Sequence, residues 1–191
     1  MHFSLVFLIL SAMTQNLLTD AQLIERIKAA ALLRGEFTLR SGRKSKYYLD
    51  KYLFETQADI LQALGYKFAA TVTPEVNRLA GAELGGIPLV TAASIASGLP
   101  TVLIRNQKKD YGTAKQLEGK LEAGDRVLIV EDIATTGGQV LEAAKVIEST
   151  GAKVVKIVAV IDRQEGAREN IEGAGFKFES LFTKSDLGID E

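Results

Sequence analysis

Apolar residues recur along this chain in two rhythms, and the change from one to the other predicts its architecture. Thr19 and Asp20 offer helix caps ahead of LIERIKAAALL, where Leu23, Ile27, Ala30 and Leu33 share a helical face that Gly35 closes. FTLRSGRKSKYYLDKYLF instead carries short apolar or aromatic runs around a Ser41-Gly42 turn, which predicts a hairpin or hood rather than a helix. From Gln57 to about Val72 the spacing of Ile60, Leu61, Leu64 and Phe68 is helical again, with Pro74 beyond its end.

After Pro74 the pattern repeats as strand, loop and helix. RLAGA, TVLIRN, VLIVED and VVKIVAVIDR read as strands, and LVTAASIASG, Gln139 to Thr150 and GARENIEGAG read as helices. The polar segment QKKDYGTAKQLEGKLEAGD follows the second of these strands, and FKFESLFT closes the series as an alternating edge strand. Strands made of continuous Val, Ile and Leu runs, alternating with helices, predict right-handed βαβ units and a parallel sheet covered on both faces. Ligands bind such sheets at the C-terminal ends of the strands. That places interest on Glu131 and Asp132, on Arg163, on Arg105 and on the loop from Gly81 to Pro88.

The most informative of these strand ends is VLIVEDIATTGGQV. Glycines after the strand let backbone N–H groups turn inward, the next helix aims its positive end at the same point, and two threonine hydroxyls add donors. This predicts a phosphate cradle, though not one with the Gly-Lys-Ser/Thr ending of a Walker loop. Two carboxylates immediately upstream suit a vicinal diol, because each can accept a hydrogen bond from one hydroxyl. A 5-phosphorylated ribose with free 2- and 3-hydroxyls fits both halves. The plain alternative is a solvated strand end followed by an ordinary helix start.

Composition narrows the chemistry. With 191 residues and 47% hydrophobic content, the chain suits one buried core. Its 23 basic and 24 acidic residues leave a net charge of -1, which argues against coating nucleic acid or an anionic membrane. Cysteine is absent and His2 is the single histidine, so thiol, serine–histidine and histidine-metal chemistry are all but excluded. What remains is carboxylates, lysines, arginines, hydroxyls, backbone amides and a bound metal. The apolar start MHFSLVFLILSA is too short to span a bilayer, which takes ~20 residues, and lacks the basic flank of a signal sequence. Residues 1–13 are therefore read as an apolar extension or upstream start. Residues 14–191 are read as a single domain with a hood over about residues 36–54.

VLIVEDIATTGG resembles the ribose-phosphate motif of the type I phosphoribosyltransferases, and other segments narrow the resemblance to their orotate-specific branch. GEFTLRSGRKSKYYLD resembles that branch's pyrimidine-contacting hood, GAELGGIPL its pyrophosphate loop and IRNQKKDYGT its mobile catalytic loop. The resemblance covers most of the chain from about Asn16. It implies the type I phosphoribosyltransferase fold, a central parallel sheet flanked by helices with a small N-terminal hood. It further implies Mg²⁺-dependent transfer of ribose 5-phosphate from phosphoribosyl pyrophosphate (PRPP) to N1 of orotate, in pyrimidine biosynthesis.

Residue by residue, the resemblance implies that Glu131 and Asp132 hold the ribose hydroxyls. Ile133, Ala134, Thr135, Thr136, Gly137, Gly138 and Gln139 would complete the PRPP site, with Thr135 also touching orotate. Arg40, Tyr47, Tyr48 and Arg163 would bind orotate, the last through its carboxylate, a task suited to the planar guanidinium fork. Arg105, Lys108, Lys109 and Tyr111 would bind pyrophosphate, with Arg105, Lys109 and Asp132 taken as the catalytic set. No protein metal ligand is implied, Mg²⁺ being held mainly by PRPP. A cytoplasmic homodimer with the mobile loop shared across subunits is also implied, with no nucleic-acid or membrane partner. The chain departs from the pattern at Asn106, often lysine, where Lys108 could compensate, at Gly85, lysine in some relatives, and at Tyr111, histidine in others.

Taken singly, these residues have ordinary readings too. RNQKKDYG could be a solvated loop, Tyr47 and Tyr48 hairpin aromatics, and Arg163 a structural partner of Glu165 or Asp162. Rival functions are a phosphoribosyltransferase acting on a purine base and a non-catalytic regulator that senses PRPP.

Overall fold

The computed structural model describes residues 17–38, 42, 44–106 and 116–189. Helix α1 (Asp20–Ala31) begins with a reciprocal cap: Gln22 N–H donates to Thr19 Oγ1, and Thr19 N–H donates to Gln22 Oε1 at 2.9 Å. It stops at Ala31, earlier than the apolar spacing suggests. Leu32 turns to extended backbone and Leu33 lies 39% exposed on a strand. That strand, β1 (Leu32–Thr38), pairs antiparallel with β2 (Lys44–Leu49), forming the expected hairpin. The hairpin is followed directly by a short helix, α2 (Lys51–Phe54), which periodicity does not reveal because it is barely one turn long. Asp50 caps it by accepting from Tyr52 N–H at 3.2 Å.

Beyond α3 (Ala58–Ala70), the chain builds β3 (Arg78–Ala82), α4 (Gly86–Ser97), β4 (Thr101–Ile104) and a two-residue strand β5 (Leu117–Glu118). Then come β6 (Arg126–Ala134), α5 (Gly138–Glu148), β7 (Lys153–Asp162), α6 (Ala167–Gly173) and β8 (Phe178–Thr183). The six-stranded sheet has the order β5-β4-β3-β6-β7-β8. All its pairings are parallel except β4 with β5. FKFESLFT does occupy an edge, while the pairing of Leu117 and Glu118 within the polar segment is unannounced by its sequence.

Each face of the sheet has its own core. Leu23, Ile27, Ile60, Leu64, Phe68, Leu89 and Val90 from α1, α3 and α4 pack on Leu79, Leu128, Val130, Val158 and Val160. Val140, Ala144, Ile147, Ala167 and Ile171 from α5 and α6 pack on Ala80, Val127, Ile129, Ile157 and Ala159. From Val127 to Val130 in β6, Leu128 and Val130 face one core and Val127 and Ile129 the other, the period of two that a strand imposes.

β6 differs from expectation in one respect that matters for the site. It does not end at Asp132. Glu131 pairs with Ala159, Ile133 with Ile161 and Ala134 with Asp162, so the carboxylates lie inside the sheet's last rungs. Glu131 is 7% exposed and Asp132 4%, which removes the reading of a solvated strand end. Among the described residues, no helix is long and apolar enough to cross a membrane.

Candidate active site

A cleft of about 1060 Å³ opens above the C-terminal ends of β6 and β7. Its wall follows the chain without a gap from Glu131 to Val140, and Thr38, Tyr48, Lys51, Arg163 and Glu165 complete it. Every PRPP-site residue expected between Glu131 and Gln139 is thus on one surface.

The turn between β6 and α5 is shaped by Gly137. Its φ of +78° is left-handed, and a Cβ there would meet Ile171 Cγ1 at 2.8 Å, so both conformation and space demand glycine. Asn170 of α6 steadies the turn, its amide donating to the Thr136 carbonyl at 2.9 Å. The turn delivers the chain into α5, whose first-turn N–H groups have no intrahelical acceptors and carry the positive end of the helix dipole. Backbone donors, the Thr135 and Thr136 hydroxyls and the helix terminus give this end of the cleft the chemistry that suits an anion such as phosphate.

The floor is electrostatically unusual. Three carboxyl groups, those of Glu55, Glu131 and Asp132, gather around the ammonium of Lys51. Lys51 Nζ donates to Asp132 Oδ2 at 2.7 Å. Burial disfavours its charge, but the charge of Asp132 and this hydrogen bond outweigh burial and hold the ammonium above the usual lysine range. Glu55 is 1% exposed, and neither of its oxygens has a hydrogen-bond partner. Burial first, and the neighbouring Asp132 charge second, push its carboxyl up to about 8. The same two causes in the same order raise Glu131. Burial and mutual repulsion thus favour the protonated forms of Glu55 and Glu131 more than water would.

At the other end of the cleft, Arg163 follows β7 as expected. Its Nη2 donates to the Tyr47 hydroxyl at 3.0 Å and faces Glu165 Oε1 at 2.9 Å. The guanidinium carbon lies 5.7 Å from the centre of the Tyr47 ring. The ion pair with Glu165 exists, and it coexists with a position on the cleft wall.

The hairpin separates the two tyrosines. Tyr48 lines the large cleft, its ring centre 5.7 Å from that of Phe37 and tilted by 34° to it. Tyr47 is 7% exposed and turns to a second cavity of about 690 Å³ lined by Glu36, Lys44, Ser45, Lys46, Glu165 and Lys184. Alternation along β2 accounts for this: adjacent strand residues point to opposite sides. Tyr47 reaches the large cleft only through Arg163.

Arg105 directly follows β4, with its N–H donating to the Gln116 carbonyl at 2.9 Å, and is not part of the cleft lining. Asn106 N–H donates to Glu83 Oε1 at 2.7 Å, joining this strand end to the β3–α4 loop. Arg40, Lys108, Lys109 and Tyr111, expected in the hood and the mobile loop, lie outside the described residues. Lys51 and Glu55 were not anticipated from sequence. Their spacing of four would have placed them on one face, had the segment been read as a helix.

This geometry agrees with the relationships of the chain. Residues 77–183 match the model of the phosphoribosyl transferase domain family. The orotate phosphoribosyltransferase of Methanocella arvoryzae is 43% identical over 169 residues, 88% of this chain and 97% of that protein. That of Natronomonas pharaonis is 42% identical over 174 residues, 91% of this chain and 99% of that protein. The solved structure of Mycobacterium tuberculosis orotate phosphoribosyltransferase with PRPP superposes with a TM-score of 0.74 at 32% identity, covering 88% of this chain and 98% of that one. The chain belongs to the phosphoribosyltransferase family, among the orotate phosphoribosyltransferases.

Proposed function

We infer that this chain transfers the 5-phosphoribosyl group of PRPP to N1 of orotate, releasing pyrophosphate and forming orotidine 5'-monophosphate, a step of pyrimidine biosynthesis. One arrangement supports this above all. Two buried strand carboxylates run without interruption into a glycine-bounded phosphate turn, and an arginine faces the same cleft from the next strand.

In this reading the turn from Thr135 to Gln139 receives the 5-phosphate, and Glu131 and Asp132 accept hydrogen bonds from the ribose hydroxyls. Arg163, held by Tyr47 and Glu165, addresses the carboxylate of orotate, with Tyr48 and Arg40 on the hood side and Thr135 beside the base. The bond from C1 to the diphosphate oxygen breaks and its electrons leave with pyrophosphate, while N1 of orotate forms the new bond to C1 and gives up its proton to solvent. The ribose carbon gains oxocarbenium character, as in glycosyl transfer. Arg105, Lys108 and Lys109 offset the charge growing on the leaving group, and Tyr111 donates a hydrogen bond to it.

The cleft wall offers oxygen donors without sulfur or imidazole, chemistry that fits a hard cation such as Mg²⁺. Mg²⁺ bound mainly through PRPP's own oxygens would offset charge on the diphosphate. A cytoplasmic homodimer, with the segment after Arg105 reaching the partner's cleft, completes the proposal.

A purine base would have no use for the guanidinium on the cleft wall, and a sensor would have no use for a leaving-group loop. The direct test is incubation with PRPP, Mg²⁺ and one base at a time. Consumption of orotate alone is expected. Consumption of adenine, guanine or hypoxanthine in its place, or of no base at all, would overturn the reading.

A further inference from the structure

The hood contributes a charge to the cleft that no part of the preceding scheme employs. Lys51 sits on α2, directly after the hairpin, and its side chain is 28% exposed at the cleft wall while holding Asp132 Oδ2 at 2.7 Å. On the other side of the same carboxylate oxygen comes the β3–α4 loop. A Cβ built on Gly85 would stand 2.0 Å from Asp132 Oδ2 and 2.7 Å from Glu55 Oε1. No side chain can extend from position 85 without displacing both groups. Where this loop meets the carboxylates, at Gly85, it presents backbone and no cation.

Glu55 reinforces the point. It lies one helical turn beyond Lys51, is 1% exposed, and leaves both oxygens without a hydrogen-bond partner. A buried carboxyl so placed needs a nearby positive charge or a retained proton. Lys51 is the ammonium within reach, shared among three carboxyls. It is thus strongly positioned, yet still exposed to a ligand.

We propose that Lys51 is a substrate-binding residue: it delivers to the diphosphate of the bound sugar donor the positive charge that the Gly85 loop does not supply. The assignment to the diphosphate rather than the 5-phosphate follows from position. The phosphate turn begins three residues beyond Asp132, whereas Lys51 approaches where Asp132 borders Gly85. The proposal rests on the reading of Glu131 and Asp132 as the sugar site.

Equilibrium binding separates the possibilities, using PRPP, inorganic pyrophosphate and ribose 5-phosphate as probes with Mg²⁺ present. Lys51→Met should weaken PRPP and pyrophosphate by about tenfold or more, the scale of one lost charge-assisted contact, while ribose 5-phosphate changes less than about threefold. Lys51→Arg should recover most of the PRPP affinity. Equal weakening of PRPP and ribose 5-phosphate would overturn the proposal, since Lys51 would then act only by holding Asp132. Unchanged PRPP binding in a folded Lys51→Met protein would overturn it too. Asp132→Asn tells the two readings apart: if it binds ribose 5-phosphate normally, the sugar-site reading itself fails. If Asp132→Asn loses that binding while Lys51→Met keeps PRPP, only the role of Lys51 falls.

Discussion

Arg163 Nη2 donates a hydrogen bond to the Tyr47 hydroxyl at 3.0 Å, joining residues 116 positions apart and tying the hood to the central sheet. Held also by Glu165 at 2.9 Å, the guanidinium meets the cleft in a set orientation. A rigid fork loses little entropy when it grips a carboxylate.

Arg163→Ala should therefore raise the KM for orotate by at least about tenfold, while the KM for PRPP changes little. Tyr47→Phe removes only the orienting hydroxyl, and a smaller rise of about two- to fivefold is expected. Steady-state kinetics with each substrate varied in turn checks both. A larger effect on PRPP than on orotate would contradict the assignment.

Glu55 makes stability depend on pH. Its carboxyl titrates at about 8 in the folded chain against 4.5 as the reference value, so between these pH values the folded state holds a proton that the unfolded state has released. Stability from this group is full below about pH 4.5 and falls as pH rises to about 8, by a few kcal/mol at most. Glu55→Gln should lack this slope. Thermal melts should show the variant gaining on wild type steadily from pH 5 to about pH 8, and parallel curves would refute the buried protonated carboxyl.

Gly137→Ala should damage the phosphate turn in two ways. The φ of +78° strains any L side chain, and the new methyl would press on Ile171 at 2.8 Å. A loss of about 1–3 kcal/mol in denaturant unfolding is expected. Weaker binding of PRPP should accompany it, because the turn's amides would be displaced.

Loop sharing has a test by complementation. Lys109→Ala and Asp132→Asn proteins should each be nearly inactive alone. If each cleft uses its partner's loop, a mixed dimer carries both defects in one cleft and none in the other. Equal mixing and reassociation should then restore about a quarter of wild-type activity, half the dimers being mixed and each having one intact site. No recovery after demonstrated subunit exchange would argue for loops that act in their own subunit.

The order of strands and helices, the glycine turn and the strand-end chemistry could be read in advance because each rests on local physics. A parallel strand buried on both faces must be a run such as VLIV, a left-handed turn favours glycine, and a helix start draws anions. Gly137 and the continuous wall from Glu131 to Gln139 follow from contiguous sequence, so one stretch of chain contained the answer. Tertiary structure decided what depends on partners distant in sequence. It carried β6 past Asp132 to Ala134, because β7 offered rungs to pair with. It turned Tyr47 behind the cleft while leaving Tyr48 on it. It brought Lys51 across 81 positions to Asp132, and packed Gly85 so closely against that carboxylate that a side chain there would push it aside. Ion pairing and close packing act through space. Only the folded chain settles which charges share a buried floor, and hence which carboxyls are pushed toward their protonated forms.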